Sequence, residues 1–360
     1  MAKNKKLNKR KNKKYQKNKR YEPYVVNSKG EHIFYVPQYL SIYNPKDYKI
    51  TMRFINSLDL ILEKDLKEVT IDFSFCNKLK AAATVILYAR LDSILERQKN
   101  IKINIKSKIK SKYFVDKIYI LLKQNGIIDL CQRKKQSKDI FNRPILPVIS
   151  GVSRQFIDDI IDFIKEQIYG NKLTGEQEHI YSDAVFEAIN NVTVHAYPDI
   201  SRDKCQWWLK CDVADNQLFL VLYDQGAGIP DTFKKGNDLF DNIDWQSDEV
   251  KDILKSQKEL FNIDEDKELE LSSLENESSI ISLAMAPDLT RITGDDEKKH
   301  GQGSKSIKKL VSINDNGILW VFSNSGLYKY RDENTLPQLV DAQQSINGTL
   351  IQWNIRIDYD

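Results

Sequence analysis

Glu187-Ala-Ile-Asn-Asn191-Val-Thr-Val-His195 is the stretch that decides the fold of the second half of this sequence, because three polar residues recur there every four positions. On an α-helix, side chains at this spacing lie along one face. A carboxylate, a carboxamide and an imidazole in one row are poorly suited to a hydrophobic core. They are well suited to lining a pocket for a metal ion and phosphates, so the stretch predicts a helix with a ligand-binding face.

A second motif, Asp224-Gln-Gly-Ala-Gly228-Ile229-Pro, follows an apolar run that is typical of a buried strand, Leu218–Tyr223. The aspartate therefore ends a strand and opens a turn in which two glycines let the backbone come close to a ligand. A carboxylate there accepts a hydrogen bond from an exocyclic amine, so Asp224 is expected to read adenine and to disfavour guanine. Gly226 and Gly228 are expected to turn the chain beneath the base.

A third motif, Gly301-Gln-Gly303-Ser-Lys305, leads into a predicted short helix at Ile307–Val311. Free N–H groups and the positive end of such a helix face phosphates, and Lys305 adds a positive charge. In the first motif, Asn191 is expected to supply an oxygen to Mg²⁺, a hard cation that binds one or two protein oxygens together with phosphates. The three motifs together therefore predict a nucleotide site with Mg²⁺.

These motifs, with Gly348-Thr349 at the start of a last apolar strand, stand in an order that resembles the GHKL ATPase superfamily (gyrase B, heat-shock chaperone, histidine kinase, MutL). The resemblance covers residues 147–360 and implies an α/β sandwich with a mixed, mainly antiparallel sheet. It implies that Glu187 is the general base for the attacking water. Ser304 departs from the family, where leucine usually follows the second glycine.

The resemblance also implies a role for the Thr349 hydroxyl in supporting Asp224. It implies Glu187 as the catalytic residue and Asn191 as the metal ligand. The nucleotide-binding residues that the resemblance implies are Asn191, His195, Asp224, Gly226, Gly228, Ile229, Gly301, Gly303, Lys305 and Thr349.

Residues 231–300 are predicted as a long lid insertion in this domain, with apolar helical stretches and an acidic run. A structureless segment of this length is uncommon unless it is functional. We expect it to close over ATP and to present a surface to a partner.

Residues 50–146 are predicted to form a small α/β domain. Strand-like alternation at Val69–Phe75 and Ile101–Ile105 is interleaved with helical patterns at Leu79–Gln98 and Phe114–Gln124. Asn125-Gly126 is typical of a helix end.

This unit resembles the STAS domain, the anti-anti-sigma-factor-like module, because Asp72-Phe-Ser74 ends a strand before a long helix. Phosphorylated members of the family carry a serine pair where this chain has Lys80-Ala-Ala-Ala83. The resemblance therefore implies a domain without the phospho-switch that serves as an interaction or dimerisation surface for a protein partner or a second copy of the chain.

Charge is concentrated at the start of the chain. Residues 1–20 hold eleven of the 55 Lys and Arg residues and no acid, so the remaining 44 basic residues face 51 acidic ones. Residues 1–22 are predicted as a disordered basic tail, which either binds nucleic acid phosphates or only solubilises the chain. Residues 23–49, with three prolines among tyrosines, are predicted as an irregular connector.

Composition favours a cytoplasmic protein. The four cysteines are scattered without a CxxC pair, the four histidines lack zinc-type spacing, and no apolar run is long enough for a membrane span. No membrane partner is expected.

Three functions remain open on the sequence. The first is a slow Mg²⁺-dependent ATPase that uses its nucleotide state to control a partner or its own dimer. Alternatively, the chain is a protein kinase of the anti-sigma or histidine-kinase type that acts in trans, or an ATP-sensing interaction module without turnover. Two α/β modules and a basic arm also fit a component of a multi-protein assembly, such as a bacterial stress or defence system.

Overall fold

The computed structural model describes residues 21–108, 116–137, 139–235, 255, 276–286, 302–314 and 316–357. The predicted basic tail up to residue 20, most of the predicted lid, and Gly301 lie outside these residues. The described chain combines helices with mainly antiparallel strands, which confirms the predicted α/β (α+β) class. No helix in these residues is long and apolar enough to cross a membrane.

The strands of the described residues are, in chain order, β1 (Tyr24–Val26), β2 (His32–Tyr35), β3 (Tyr39–Leu40), β4 (Glu68–Asp72), β5 (Lys78–Leu79), β6 (Lys102–Lys106), β7 (Ile149–Val152), β8 (Gln206–Ala214), β9 (Gln217–Asp224), β10 (Ile318–Ser323), β11 (Gly326–Tyr330), β12 (Gln338–Asp341) and β13 (Thr349–Arg356).

The α-helices of the described residues are α1 (Pro45–Ser57), α2 (Leu60–Glu63), α3 (Ala81–Arg97), α4 (Lys117–Gln124), α5 (Ile127–Cys131), α6 (Ile157–Phe163), α7 (Gly175–Asn191), α8 (Ile229–Lys235), α9 (Glu277–Ala284) and α10 (Gln302–Ser312). Single π-helical turns, Ile164–Ile168 and Val192–Ala196, extend α6 and α7.

The second half of the chain is built on a seven-stranded sheet with the order β12-β11-β10-β13-β9-β8-β7. Every neighbouring pair in it is antiparallel. The two-residue turn Asp215-Asn216 joins β8 to β9, and both residues have positive φ (53° and 57°). This geometry suits the right-handed twist of a hairpin.

The two faces of this sheet bury different partners. Leu222, Val321 and Ile351 pack in one core with α6, α7, α9 and α10. Trp208 and Tyr223 point to the opposite face and share a second core with the first half of the chain. Because both faces are covered, the strands are apolar almost throughout, as expected for a sheet in the middle of a three-layer arrangement.

The first half of the chain forms its own four-stranded sheet with the order β1-β2-β4-β6. The pairs β2–β4 and β4–β6 are parallel, and β1–β2 is an antiparallel hairpin. Helix α3 lies between this sheet and the seven-stranded sheet, where it contacts β8 and β9. Its burial on both sides explains the Ala- and Leu-rich sequence, in which Val85, Leu87 and Leu91 are fully buried.

The prediction of an irregular connector at residues 23–49 is wrong. These residues contain β1 to β3 and the first turn of α1. Pro45 suits the first turn of a helix because its missing N–H has no partner there in any case. The Asn44 side chain caps the helix by accepting a hydrogen bond from the Asp47 N–H at 2.9 Å.

Part of the segment predicted as a lid belongs to the core instead. Helix α9 lies within residues 231–300, but Ile280, Ile281 and Leu283 are fully buried and the helix packs against β11. Ser278 donates to Asp341 through its backbone N–H (2.9 Å). An apolar helix that contributes to the main core is fixed in place, so residues 277–284 do not act as a lid.

Candidate functional site

Three polar side chains form a row at the ends of the central strands. Ser323 pairs with Thr349 across β10 and β13, and Leu350 pairs with Tyr223, which sets Thr349 beside Asp224. Side chains alternate across a strand, so all three lie on the sheet face that carries α7 and α10. The row Asp224–Thr349–Ser323 is therefore the floor of a site under these helices.

Asp224 is an ionisable residue that is almost inaccessible to solvent. It is only 3% exposed. Burial raises the pKa of its carboxyl group to about 7, although hydrogen bonds from the backbone of Gly226 and Thr349 lower it in part. The Gly226 N–H donates to Oδ1 at 2.8 Å, which leaves further acceptor capacity on the carboxylate. Near neutral pH the Asp224 carboxyl group can therefore accept a hydrogen bond from a donor group of a ligand.

The backbone of the turn after Asp224 packs so closely against its neighbours that the glycine positions leave no room for a Cβ atom. A Cβ on Gly226 would clash with the carbonyl oxygen of Ala196, and that oxygen accepts the Ala227 N–H at 2.8 Å. A Cβ on Gly348 would clash with the Asp224 carbonyl oxygen, and Gly348 has a φ of 117°. The glycines predicted from the motif are therefore required by packing of the turn against the end of α7 and the start of β13.

Helix α7 begins with a capping box, in which Thr174 accepts from the Gln177 N–H and the Gln177 side chain accepts from the Thr174 N–H. It carries Glu187 and Asn191, both half-buried, on the side that faces α10. A Cβ on Gly303 would lie 3.1 Å from Glu187 Oε2 and 3.7 Å from Asn191 Nδ2. The structure therefore places Gly303, the second glycine of the third motif, against Glu187 and Asn191, two of the three polar residues of the first motif.

Glu187 has a raised pKa. Loss of water around its carboxyl group is the main cause, and the nearby Asp183 carboxylate raises the pKa further, whereas Arg154 lowers it. Arg154 lies on the neighbouring side of α7, where it donates to Asn190 Oδ1 (2.8 Å) and stacks on Phe186. A carboxylate with a raised pKa is a stronger base than an ordinary glutamate.

The remaining predicted residues lie around this centre with different exposure. Ile229 donates its backbone N–H to Ser323 Oγ at 2.8 Å. This hydrogen bond fixes the end of the turn at residues 225–228, which we call the glycine turn, against the floor. His195 is exposed within the π-helical turn that follows α7, and Lys305 is exposed on α10. Gly301 lies outside the described residues.

Three residues at the site, Ser323, Asn324 and Tyr197, are not marked by any of the sequence motifs. Ser323 completes the floor, and Asn324 donates its side-chain N–H to the Ala227 carbonyl at 2.9 Å. The Tyr197 hydroxyl accepts the Gln225 N–H at 3.0 Å and donates to the Gln206 carbonyl at 2.8 Å. A polar residue at the end of an apolar strand was a signal for Ser323, since Asp224 ends β9 in the same way. No pattern marked the other two.

The first half of the chain also touches the site. Ser93 of α3 donates its hydroxyl to Gln225 Oε1 at 2.8 Å. The adjacent Asp92 accepts the Trp208 indole N–H at 2.9 Å, which fixes α3 to β8. The residue that follows Asp224 is therefore held from both sides, by Tyr197 on its backbone and by Ser93 on its side chain.

The polar groups around Gly303 suit the binding of a hard cation together with phosphates. The Glu187 and Asn191 side chains carry oxygen atoms, the ligand type that Mg²⁺ prefers. Gly303 lies in the first turn of α10, where backbone N–H groups have no intrahelical partner. Oxygen ligands and free N–H groups on facing helices can bind a metal–phosphate group between them.

No protein-family model matches this chain, and no curated protein matches it.

Proposed function

We propose that this chain is a Mg²⁺-dependent ATP-binding protein of the GHKL type, which hydrolyses ATP slowly and uses its nucleotide state to control a partner or its own dimer. The observation that carries the proposal is the meeting of four separate motifs in one place. Asp224 and Thr349 form the floor, and Glu187, Asn191 and Gly303 come together above the same face of the sheet. These are the residues that the GHKL resemblance implies.

The floor is the proposed adenine end. Asp224 offers a carboxylate acceptor in a water-poor position, where a hydrogen bond is worth more than on the surface. The exocyclic amine of adenine donates to such a group, whereas guanine presents an acceptor at the same place. The turn beside the carboxylate is held by close packing against Ala196 and by the hydrogen bond from Asn324 to Ala227, so the position of Asp224 is fixed before a base binds.

The helices are the proposed phosphate end. The first turn of α10 directs its free N–H groups and the positive end of the helix toward the triphosphate. Asn191 Oδ1 is the proposed protein ligand of Mg²⁺, which when bound neutralises phosphate charge. Glu187 lies beside both and is the proposed general base, which orients the attacking water and takes its proton.

The first half of the chain is the proposed interaction module, with STAS-like character. Its helix α3 contacts the residue after Asp224, so a change at the glycine turn reaches this unit through a hydrogen bond. That connection supports a function in which nucleotide binding is communicated to a partner surface.

The experiment that tests the proposal is ATP binding by calorimetry in Mg²⁺ buffer, with wild type compared with Asp224→Asn. Asparagine keeps the size of the side chain but presents a donor where the adenine amine also donates. We expect the variant to lose at least tenfold in affinity for ATP, from the loss of a charge-assisted hydrogen bond of roughly 1.5–3 kcal/mol.

Asp231→Asn is the matched control, because Asp231 lies exposed on α8 just beyond the same turn. It should bind ATP like wild type. Tight ATP binding by the Asp224 variant would overturn the assignment of the pocket. Binding by wild type without phosphate release would favour the trans-acting kinase or the non-hydrolysing sensor over the ATPase.

A further inference from the structure

An exposed surface of the first half of the chain lies at the carboxyl ends of β4 and β6 and beside the small β3–β5 sheet. It carries two aromatic rings and three lysines, and we call it the basic edge: Tyr39, Phe75, Lys78, Lys106 and Lys108. We propose that the basic edge binds single-stranded nucleic acid, with the lysines at phosphates and the rings against unpaired bases. The inference goes beyond the proposed function, since none of these residues belongs to the ATP site.

Hydrogen bonds join the parts of the basic edge to one another. Lys108, just after β6, donates from Nζ to Asn77 Oδ1 at 2.8 Å. Asn77 lies in the loop after β4 that also carries Phe75. The Asn77 N–H donates to the carbonyl of Gln38 at 2.8 Å, which fixes this loop beside Tyr39. The basic edge is therefore one continuous surface.

Two of the three lysines in the basic edge have neutral contacts. Lys78 Nζ lies 5.6 Å from the centre of the Tyr39 ring, and Lys108 donates to an amide oxygen and to a backbone carbonyl. Lys106 pairs with Asp72 at 2.8 Å, although its side chain is 58% exposed. The chain beyond residue 20 holds more acidic than basic residues. A positive surface on such a body suits a polyanion, because bound lysines release the counterions of phosphates.

Exposed aromatic rings distinguish this surface from one that carries charge alone. Phe75 is 51% exposed and Tyr39 is 39% exposed. Rings beside lysines provide stacking platforms for unpaired bases, which a duplex keeps within its own stack. Binding to a lipid surface scales with the apolar area that is buried, and two rings offer little of it. The combination therefore favours a single strand over a duplex or a membrane.

The most basic part of the sequence joins the described structure at the same place. Residues 1–20 hold eleven Lys and Arg residues and no acid, and they precede Tyr21. The Tyr21 hydroxyl donates to the carbonyl of Tyr35 at 2.5 Å. Tyr35 ends β2 and pairs with Asp72 at the end of β4. A polyanion that the basic segment attracts is therefore brought close to the basic edge.

The test measures fluorescence anisotropy of a labelled oligo-dT strand of about 20 nucleotides with the full chain, over a range of salt concentrations. We expect Phe75→Ala to bind at least about fivefold more weakly than wild type, with an unchanged salt dependence, because it removes a stacking contact and no charge. The double variant Lys78→Gln, Lys108→Gln should bind more weakly and should lower the slope of log K against log salt by about 1, because two phosphate contacts are lost.

Matched variants separate the basic edge from charge and apolar character in general. Lys67→Gln with Lys99→Gln removes the same charge from the amino ends of β4 and β6, at the opposite edge of the same sheet, where both lysines are exposed. This control should keep the wild-type salt slope. Phe75→Leu keeps an apolar side chain without a ring, so it should bind as weakly as Phe75→Ala, whereas Phe75→Trp should bind at least as well as wild type. Thermal melts check that each variant folds.

Three results would overturn the inference. Wild-type affinity in both Phe75→Ala and the Lys78, Lys108 double variant would assign all binding to residues 1–20. Equal affinity for a duplex of the same length would show a general polyanion surface. Binding to phosphatidylserine vesicles without binding to oligo-dT would show a lipid surface. None of these measurements involves ATP, so their outcome and that of the ATP-binding experiment are independent.

Discussion

The burial of Asp224 at the candidate site makes the stability of this protein depend on pH. Its carboxyl group has a pKa of about 7 because it is buried, whereas an aspartate in an unfolded chain titrates near pH 4. Between these pH values the native state holds a proton that the unfolded chain has released. The free energy of unfolding therefore falls as the pH rises from about 4 to 7, and the penalty is constant above that range.

Asp224→Asn should remove this penalty. We expect the variant to be more stable than wild type at pH 8, on the order of 2–4 kcal/mol, because no charge is buried at high pH. The difference should shrink as the pH falls and disappear below about pH 3, where the wild-type carboxyl group is neutral in both the native and the unfolded state. Denaturant unfolding at several pH values measures this. A gap that stays constant with pH would contradict the burial of an ionisable group there.

At the residue scale, the sequence marked the polar residues that the structure brings together, but not the residues that hold them in place by hydrogen bonds. Glu187, Asn191 and Asp224 are recognisable because polar groups at helical spacing, or at the end of an apolar strand, have few structural explanations. Ser323 and Tyr197 act through hydrogen bonds set by strand register and helix ends, which no short pattern records. Their roles follow only once β10, β13 and the end of α7 are placed together.

At the scale of elements, glycines set how closely the turn, the strands and the helices approach one another. Gly226 lies against the carbonyl of Ala196 at the end of the α7 extension. Gly175 begins the same helix and has open space around it. These two positions allow the effect of close packing to be separated from the effect of glycine in general.

Gly226→Ala should shift the turn, because its Cβ cannot fit against Ala196. We expect a loss of roughly 1–3 kcal/mol in stability and a marked loss of ATP affinity, since the shift moves the groups beside Asp224. Gly175→Ala should leave ATP affinity unchanged and stability within about 0.5 kcal/mol of wild type. Thermal melts and ATP titrations of both variants check this, and an alanine at 226 that binds ATP normally would contradict the assigned turn.

The elements β4, β6, β9 and α3 were predicted within a few residues, because they carry alternating, continuously apolar or helical patterns. The elements that were missed are short or atypical. The hairpin β1–β2 and the helix α1 were hidden among prolines and tyrosines, although Asn44 and Pro45 together form a helix-start signal. Helix α9 was placed in a lid because its long-range packing against β11 has no local signature.

At the scale of the whole molecule, both halves of the chain meet at the seven-stranded sheet and share a core. The sequence predicted two units but not that α3 lies against the strands that carry Asp224. That contact depends on which face of the sheet each unit covers, and such long-range pairing is not recorded in periodicity. The consequence is that Ser93 of the first half contacts Gln225 of the second.

A double-mutant cycle on Ser93→Ala and Gln225→Ala tests this connection. We expect a coupling energy of about 0.5–1.5 kcal/mol in stability, the range of a neutral hydrogen bond, and a smaller ATP affinity in each single variant. Ser57→Ala is the control, because that hydroxyl bonds only to Phe54 within its own helix. Additive effects of the two substitutions would show that the two halves do not communicate through this contact.

The most direct measurement of the central claim is phosphate release from ATP in Mg²⁺ buffer by wild type, Glu187→Ala and Glu176→Ala, with ATP binding recorded for each. Glu176 lies exposed in the first turn of the same helix. We expect slow turnover by wild type and by the Glu176 variant, and binding without turnover by the Glu187 variant, because only Glu187 lies beside Gly303 and Asn191. Full turnover by Glu187→Ala, or no ATP binding by wild type, would contradict the claim.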